Sequence, residues 1–411
     1  PAYARLLRRH LEQDTGREEI IRDAAQNIEG VYAPELYRPY YAEDGTIEDV
    51  KPVDDAVPAT VEAAKVEDLD DAPFPGRPLV PLVESVHERI SLEIMRGCTR
   101  GCRFCQAGMT RRPARCRSRE TLIETAEEAY DSTGYDQVSL ASLSSSDHPE
   151  IEELVTRCAE RFEDRDVDVS LPSLRVSDQL RFLAGPLSNV RKSSVTVAPE
   201  AGTQRLRSVI NKDITEEDLM EGVRAAYEAG WQHVKLYFMI GLPTETEDDV
   251  KAIAHLCDRV SDLRREVETK PGKVNVSVAP FVPKAHTPFQ WEKMADLDYI
   301  KSMQSLLIDE IENNRVRFKF HTTERSRLEG LLARGDRRLG SVIKDVWEQG
   351  GQFEAWDEYF SAERWQKAME RHDLDMDFYV ARERQKDERL PWDHISFGLS
   401  RDFLWAEAQR A

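Results

Sequence analysis

The sequence predicts an α/β fold: a parallel sheet curved into a partial (β/α)6 TIM-like barrel, followed by a helical C-terminal extension. Three observations carry this. From about Ile90, short apolar stretches alternate six times with longer stretches of helical periodicity. Each apolar stretch ends in a small or polar segment, as strands do where a parallel sheet presents ligand-binding ends. After about residue 292 the pattern changes to amphipathic helices.

In order, residues 1–30 read as helix, with Leu6, Leu7, Leu11, Ile20, Ile21 and Ala24 at roughly helical spacing. Residues 31–89 are rich in Pro and Asp and read as a linker with short strand-like pieces, wrapped on the next domain. The acidic run Glu67–Asp71 reads as a solvated face. The core domain spans 90–291. Its first strand is SLEIM (91–95), which leads into a cysteine-rich loop; Ser118 is placed to N-cap the helix through Glu120 to Tyr130. QVSLASL (137–143) and IEELVTRCAERF (151–162) are the second strand and helix, DVDVSLPSL (166–174) and VSDQLRFLAG (176–185) the third. SSVTVAPEAG (193–202) precedes the helix 215–230, and HVKLYFMIGLP (233–243) precedes the helix 247–267. KVNVSVAPFVP (273–283) is the sixth strand. Residues 292–411 are the helical extension, expected to cap the open side of the barrel; four of the seven Trp (Trp347, Trp356, Trp365, Trp392) lie there between 340 and 395.

The chain carries 57 Lys+Arg against 77 Asp+Glu, a net charge of −20. That balance argues against nucleic-acid binding by the whole surface and suits a solvated or salt-adapted exterior. No run of 18 apolar residues is present, so no transmembrane helix is expected. The N-terminal PAYARLLRRHLEQD lacks the continuous apolar core of a signal peptide. Unpaired cysteines point to a reducing, cytoplasmic location. The chain begins with Pro, and is expected to be a fragment.

Against this acidic background Met95–Arg119 holds eight arginines and no Asp or Glu. Within it lie Cys98, Cys102 and Cys105, half of the six cysteines in the chain. Soft thiolates select zinc, copper(I) or iron–sulfur clusters. A closed zinc site takes four ligands, and no His lies between Cys98 and Cys116. Three thiolates hold a [4Fe–4S] cube by three irons and leave the fourth open to a small molecule. Gly97, Gly101 and Gly108 suit a loop folded round such a cluster, and Phe104 is placed to shield it. The arginines are read as keeping the thiolates ionised beside an anionic ligand.

The spacing Cys98-x3-Cys102-x2-Cys105 resembles the signature of radical S-adenosylmethionine (SAM) enzymes. EIMRGCTRGCRFCQAG, SLPSLRVSD, APEAGTQRLR, KLYFMIGLPTETEDDV, APFVPKAHTPFQW and LPWDHISFGLSRDFLW extend the likeness from about Asn27 to the end. Together they resemble a subfamily with an upstream cobalamin-binding-type domain and a largely unassigned substrate. The resemblance implies that the open iron binds the SAM amino and carboxylate groups, that one electron cleaves SAM to methionine and a 5′-deoxyadenosyl radical, and that the radical takes hydrogen from a substrate. It implies an electron donor such as a flavodoxin or ferredoxin, and makes residues 1–30 the tail of the upstream domain. No Asp-x-His-x-x-Gly loop occurs, so cobalamin is expected only through a region upstream of this chain.

Further site residues follow from the strand ends. Where the family usually carries a Gly-Gly-Glu-like segment, this chain has Ser144, Ser145, Ser146 and Asp147. Asp147 is a candidate for the SAM amino group, with an Asx-turn as its other role. Arg175 is a candidate for the SAM carboxylate or substrate, with a surface ion pair as the alternative. Glu200 is a candidate for the ribose hydroxyls or amino group. Arg205 and Lys212 meet substrate charge or lie on a helix surface. Gly241 allows close backbone approach to the adenine, flanked by Ile240 and Leu242. His286 sits in a Pro-rich loop and reads as structural before catalytic. Cys158 and Cys257 read as core thiols, and no second cysteine set is present.

The reading is a radical SAM enzyme whose second substrate is unidentified, with methyl or other group transfer suggested by the subfamily. An RNA-modifying methylthiotransferase-like enzyme stays open through the basic stretch 316–340, though RNA is not favoured. A non-catalytic iron–sulfur carrier also stays open, as does, last, a zinc module.

Overall fold

The computed structural model describes residues 2–85, 88–171 and 194–411. They divide into two compact units that interleave along the chain. One, the barrel unit, holds Val66–Phe281, Ala295–Ser326 and Arg410–Ala411. The other holds the residues up to Lys65, Val282–Met294 and Arg327–Gln409.

The barrel unit is built on seven parallel strands among the described residues. β1 (Ile90–Glu93), β2 (Gln137–Ala141) and β3 (Asp168–Ser170) pair in that order, with Ile90 opposite Val138 and Gln137 opposite Asp168. β4 (Val195–Glu200), β5 (His233–Ile240), β6 (Lys273–Pro280) and β7 (Val316–Phe320) form a second run in chain order. β5 and β6 pair along their whole length, His233 opposite Lys273 through Ile240 opposite Pro280. Val234, Leu236, Phe238 and Ile240 are buried, each 1% exposed or less, and His233, Lys235 and Tyr237 between them are half-buried. This period of two fixes the register, since a one-residue slip would turn the apolar set to the other face.

Helices cover the strands: α1 (Arg119–Thr133), α2 (Ile151–Phe162), α3 (Glu216–Glu228), α4 (Glu247–Val267) and α5 (Leu297–Glu310). Their starts are chemically marked. Ser118 caps α1 by accepting the Thr121 N–H, as expected. Thr215 with Asp218, and Thr246 with Asp249, form capping boxes on α3 and α4. The architecture is the predicted α/β partial barrel. Two apolar clusters hold it, one between β1–β3 and α1–α2, the other between β4–β7 and α3–α5. Cys158 and Cys257 are fully buried in them, as read. The expected helix 176–185 and Arg175 lie outside the described residues.

Two expectations are corrected. Residues 316–320 form β7, not part of a basic helical extension. Val316, Phe318 and Phe320 alternate with exposed Arg317 and Lys319, and the apolar set packs on the core. The linker reading of residues 31–89 also fails locally. Tyr37–Tyr41 and Ile47–Pro52 form an antiparallel hairpin. Leu36, Tyr37, Ile47, Val50, Val57 and Val61 close a small core with Ala25 in the second unit.

That unit also contains the helices Ala2–Glu12, Arg17–Asn27, Leu339–Glu348, Ala362–Arg371, Met376–Val380 and Arg401–Ala408. A short parallel pairing joins Val61–Glu62 to Ile395–Ser396. Among the described residues no helix is long and apolar enough to cross a membrane.

Candidate active site at the cysteine loop

The chain leaves β1, passes the short strand Met95–Arg96, and returns through Arg115–Cys116, which pairs antiparallel with it. Gly97 opens the enclosed loop with φ +92°, and a Cβ there would stand 2.5 Å from the Arg111 carbonyl oxygen and 2.8 Å from that of Pro113. Only glycine fits. Cys105 caps the short helix Gln106–Thr110, its Sγ accepting the Gly108 N–H at 3.3 Å. The Arg100 N–H reaches Cys98 Sγ at 3.4 Å. Hydrogen bonds of this kind stabilise thiolate charge.

The loop is stitched to the segment that follows β4. The Arg103 N–H donates to the Ile210 carbonyl, and its guanidinium to the carbonyls of Val209 (2.6 Å) and Ser208 (3.0 Å). Asn211 Nδ2 donates to the Gly101 carbonyl at 2.9 Å. On the β2 side, Asp147 accepts from Thr99 Oγ1 at 2.6 Å and from Arg100 Nη2 at 3.1 Å. Asp147 thus clamps the loop to the end of β2.

Cys98, Cys102 and Cys105 line one cavity of about 640 Å³. Phe104, Leu143, Ser144, Glu200, Asn211 and Lys212 line it with them. Glu200 reaches it through a break in the ladder: β4 pairs β5 regularly to Leu236, then shifts so that Phe238 stands opposite Glu200, which has φ +70°. Such an irregularity re-aims a side chain at a strand end. Lys212 Nζ lies 3.4 Å from Glu200 Oε1. Burial raises the Glu200 carboxyl above its usual range, with Lys212 opposing. Burial pushes the Cys102 thiol up to about 11, and Lys212 opposes that shift too. Burial raises Cys105 as well, against the Gly108 N–H. Thiols held neutral by burial become ligands when a cation replaces the proton.

The cavity fits an iron–sulfur cube. Among the described residues, no three His, Cys, Asp or Glu side chains gather as ligands of a single ion. A cube separates its thiolates, one to each of three irons. The three cysteines line the cavity together, with N–H donors at two of the sulfurs.

The other predicted residues divide. Phe104, Ser144 and Glu200 come to the cavity. Ser146 and Asp147 lie in the turn Ser145–Asp147 beside it. Gly241 and Leu242 do not line it. Gly241 (φ +80°) packs where a Cβ would stand 2.9 Å from Ala295 and Ile300 side-chain atoms. Both N–H groups point to Glu245, at 2.6 and 3.4 Å. Ile240 is core. Arg205 pairs with Asp249 and bonds Thr244, so its role is on the helix surface. Lys212 is the one of that pair that meets the cavity. His286 lies in the second unit, 4.8 Å edge-on to Phe397, with burial lowering it to about 4.

The arginine expectation is also corrected. Arg103, Arg112, Arg115 and Arg117 donate to main-chain carbonyls, and Arg96 and Arg119 pair with Glu93 and Glu120. Of the arginines in this island only Arg100 lines the cavity. The island builds the loop more than it bathes the thiolates. The residues that sequence reasoning missed are Asn211, Arg103 and Glu245. The Asn-Lys-Asp run after a strand-end helix is the signal from which Asn211 could have been found.

Residues 92–257 match the Radical SAM superfamily. An uncharacterized protein of Methanocaldococcus jannaschii, MJ0966, is 34% identical over 255 residues, 61% of this chain and 53% of that protein. The chain thus spans about half the length of this curated relative. Among solved structures, the chain is similar to the radical S-adenosylmethionine methyltransferase TsrM from Kitasatospora setae with cobalamin and a [4Fe–4S] cluster bound. The identity is 17% and the TM-score 0.40, over 50% of this chain and 36% of that one. It is also similar to the cobalamin-dependent S-adenosylmethionine radical enzyme OxsB with aqua-cobalamin and SAM bound, at 12% identity and TM-score 0.40, over 82% and 51%. The cofactors of the matched superfamily are a [4Fe–4S] cluster and SAM. Residues 92–257, with their cysteine loop at the mouth of a partial barrel, are thus the part of the chain that matches the Radical SAM superfamily.

Proposed function

We propose that Cys98, Cys102 and Cys105 hold a [4Fe–4S] cluster and that the chain cleaves SAM reductively to act on a second substrate. The observation that carries this is the shared cavity, lined by three cysteines, a half-buried carboxylate and an ammonium. A cluster held by these cysteines would supply the one-electron reduction that splits SAM into methionine and a 5′-deoxyadenosyl radical. The chain's own residues bind and orient. Lys212 offers a cation to the SAM carboxylate, and Glu200 an acceptor to its amino group or ribose hydroxyls. Phe104 shields the cysteines from water. Asp147, through Thr99 and Arg100, keeps the loop in place. Group transfer, methyl transfer among its forms, is the class of outcome, with the electron donated by a flavodoxin or ferredoxin.

The test is anaerobic purification, reconstitution with iron and sulfide, reduction, and assay for 5′-deoxyadenosine from SAM. Wild type forms it; Cys98→Ala, Cys102→Ala and Cys105→Ala do not. A brown cluster that never cleaves SAM supports an electron carrier instead. A colourless zinc protein overturns the proposal.

A further inference from the structure

In the second unit, Arg334, Arg382, Arg384 and Arg389 line one small cavity, together with Asp336 and Glu388. Its volume of about 10 Å³ admits one species of roughly the size of a water molecule. Two of these guanidiniums are deep: Arg334 is 0% exposed and Arg384 5%. Arg334 gives its N–H groups to the carbonyls of Tyr379, Gln290 and Arg382. Arg384 gives Nη2 to the Arg334 carbonyl at 2.8 Å. Of the carboxylates nearby, Glu388 pairs with Arg382, Asp336 with Arg338, Asp49 with Arg389 and Asp393 with Arg401, while the Glu292 charge acts on Arg334 from outside the cavity lining. Among the described residues, neither Arg334 nor Arg384 has an ion-pair partner, and Arg384 Nε and Nη1 and Arg389 Nε are buried without a hydrogen-bond partner.

A buried charge is costly unless paired, and a buried N–H is costly unless bonded. Both debts fall at the same cavity. Burial and the neighbouring arginines lower Arg334 to about 9, and burial lowers Arg384 to about 10. The lining thus sets four guanidiniums against two carboxylates. A water molecule would meet the donors but not the charge. Phosphate and sulfate are too large for the space.

We propose that this cavity is a binding site for one monovalent inorganic anion of chloride size, held by Arg384 and its arginine neighbours. The cavity wall also includes the turn Gly45–Ile47 and the segment up to Pro391. The anion therefore ties the hairpin to the C-terminal segment of the same unit, and the site is separate from the chemistry at the cysteines.

The test uses the whole chain exchanged into gluconate, a bulky anion. Chloride or bromide is titrated at constant ionic strength, which separates binding from screening of the net charge of −20. Crystals are grown in bromide for anomalous scattering. The expected results are a saturable rise in Tm with chloride and not with gluconate, and an anomalous peak in contact with Arg384. Arg384→Gln should abolish the chloride-dependent rise. If R384Q does not fold, the bromide map of the wild type decides alone. A water without anomalous signal in the cavity, or superimposable chloride and gluconate curves, overturns the proposal.

Discussion

Lys212 Nζ stands 3.4 Å from Glu200 Oε1, and both side chains face the cavity that the three cysteines line. The ammonium is the charge that opposes the upward shift of both Glu200 and Cys102. Lys212→Met removes it and leaves a half-buried carboxyl without its partner, a loss of about 1 kcal/mol. Thermal unfolding should show this loss, and the double variant Lys212→Met/Glu200→Gln should recover part of it. SAM affinity, read by isothermal titration, should fall in both. Unchanged SAM affinity in Lys212→Met would rule out its proposed role.

Glu245 provides a pH signature. Its carboxylate accepts the Gly241 and Leu242 N–H groups and the Tyr299 hydroxyl, yet burial pushes it up to about 7. A carboxyl raised in the folded state favours folding below its unfolded value, and this contribution is lost as pH rises through about 7. Between pH 5 and 8 the wild type should lose roughly 3 kcal/mol that Glu245→Gln does not lose. Urea unfolding of both proteins across that range checks it; parallel curves would contradict the assignment.

Gly97→Ala should disable the cysteine loop without touching a cysteine. The added Cβ meets two backbone oxygens inside 3.0 Å, at φ +92°. Left-handed backbone alone costs about 1–2 kcal/mol for a non-glycine residue. Iron content after reconstitution should drop well below wild type. Gly134→Ala is the control: it has a positive φ but nothing within 4 Å, so iron loading should stay normal.

Asp147 and Arg100 should behave as one unit. Their pairing, with Thr99, holds the loop to β2. Asp147→Ala and Arg100→Ala should each weaken cluster retention under chelator challenge, and the double variant should be little worse than either single. Additive losses would mean that Asp147 acts elsewhere.

Cys158→Ala and Cys257→Ala should leave iron stoichiometry unchanged. Both thiols are 0% exposed in apolar clusters, and burial raises both. They should react with iodoacetamide only after unfolding.

What could be read from the sequence was local. The three cysteines lie within eight residues of one another, and the strands β1, β2, β4, β5 and β6 announce themselves by alternation and by flanking caps such as Ser118 and Thr246. What could not be read depends on partners far along the chain. Arg103 finds its acceptors more than 100 residues away, at Ser208 and Val209. Asn211 meets Gly101 at a similar separation. Gly241 was legible as a special backbone position but not as one packed on Ala295 and Ile300, because nothing local distinguishes a close approach to ligand from one to protein. β7 was hidden by Arg317 and Lys319, whose charge masked the alternation of Val316, Phe318 and Phe320.

Four arginines of the basic island, Arg103, Arg112, Arg115 and Arg117, end on peptide oxygens. Bonds from a guanidinium to a carbonyl dipole, two of these arginines being buried, owe little to long-range attraction. Concentrated brine dissolves surface ion pairs such as those of Arg17 and Arg77 first. Apart from the Asp147–Arg100 ion pair at the β2 end, the cysteine loop is therefore fastened by contacts little sensitive to dissolved salt, and a lysine, lacking the planar fork, could not replace them.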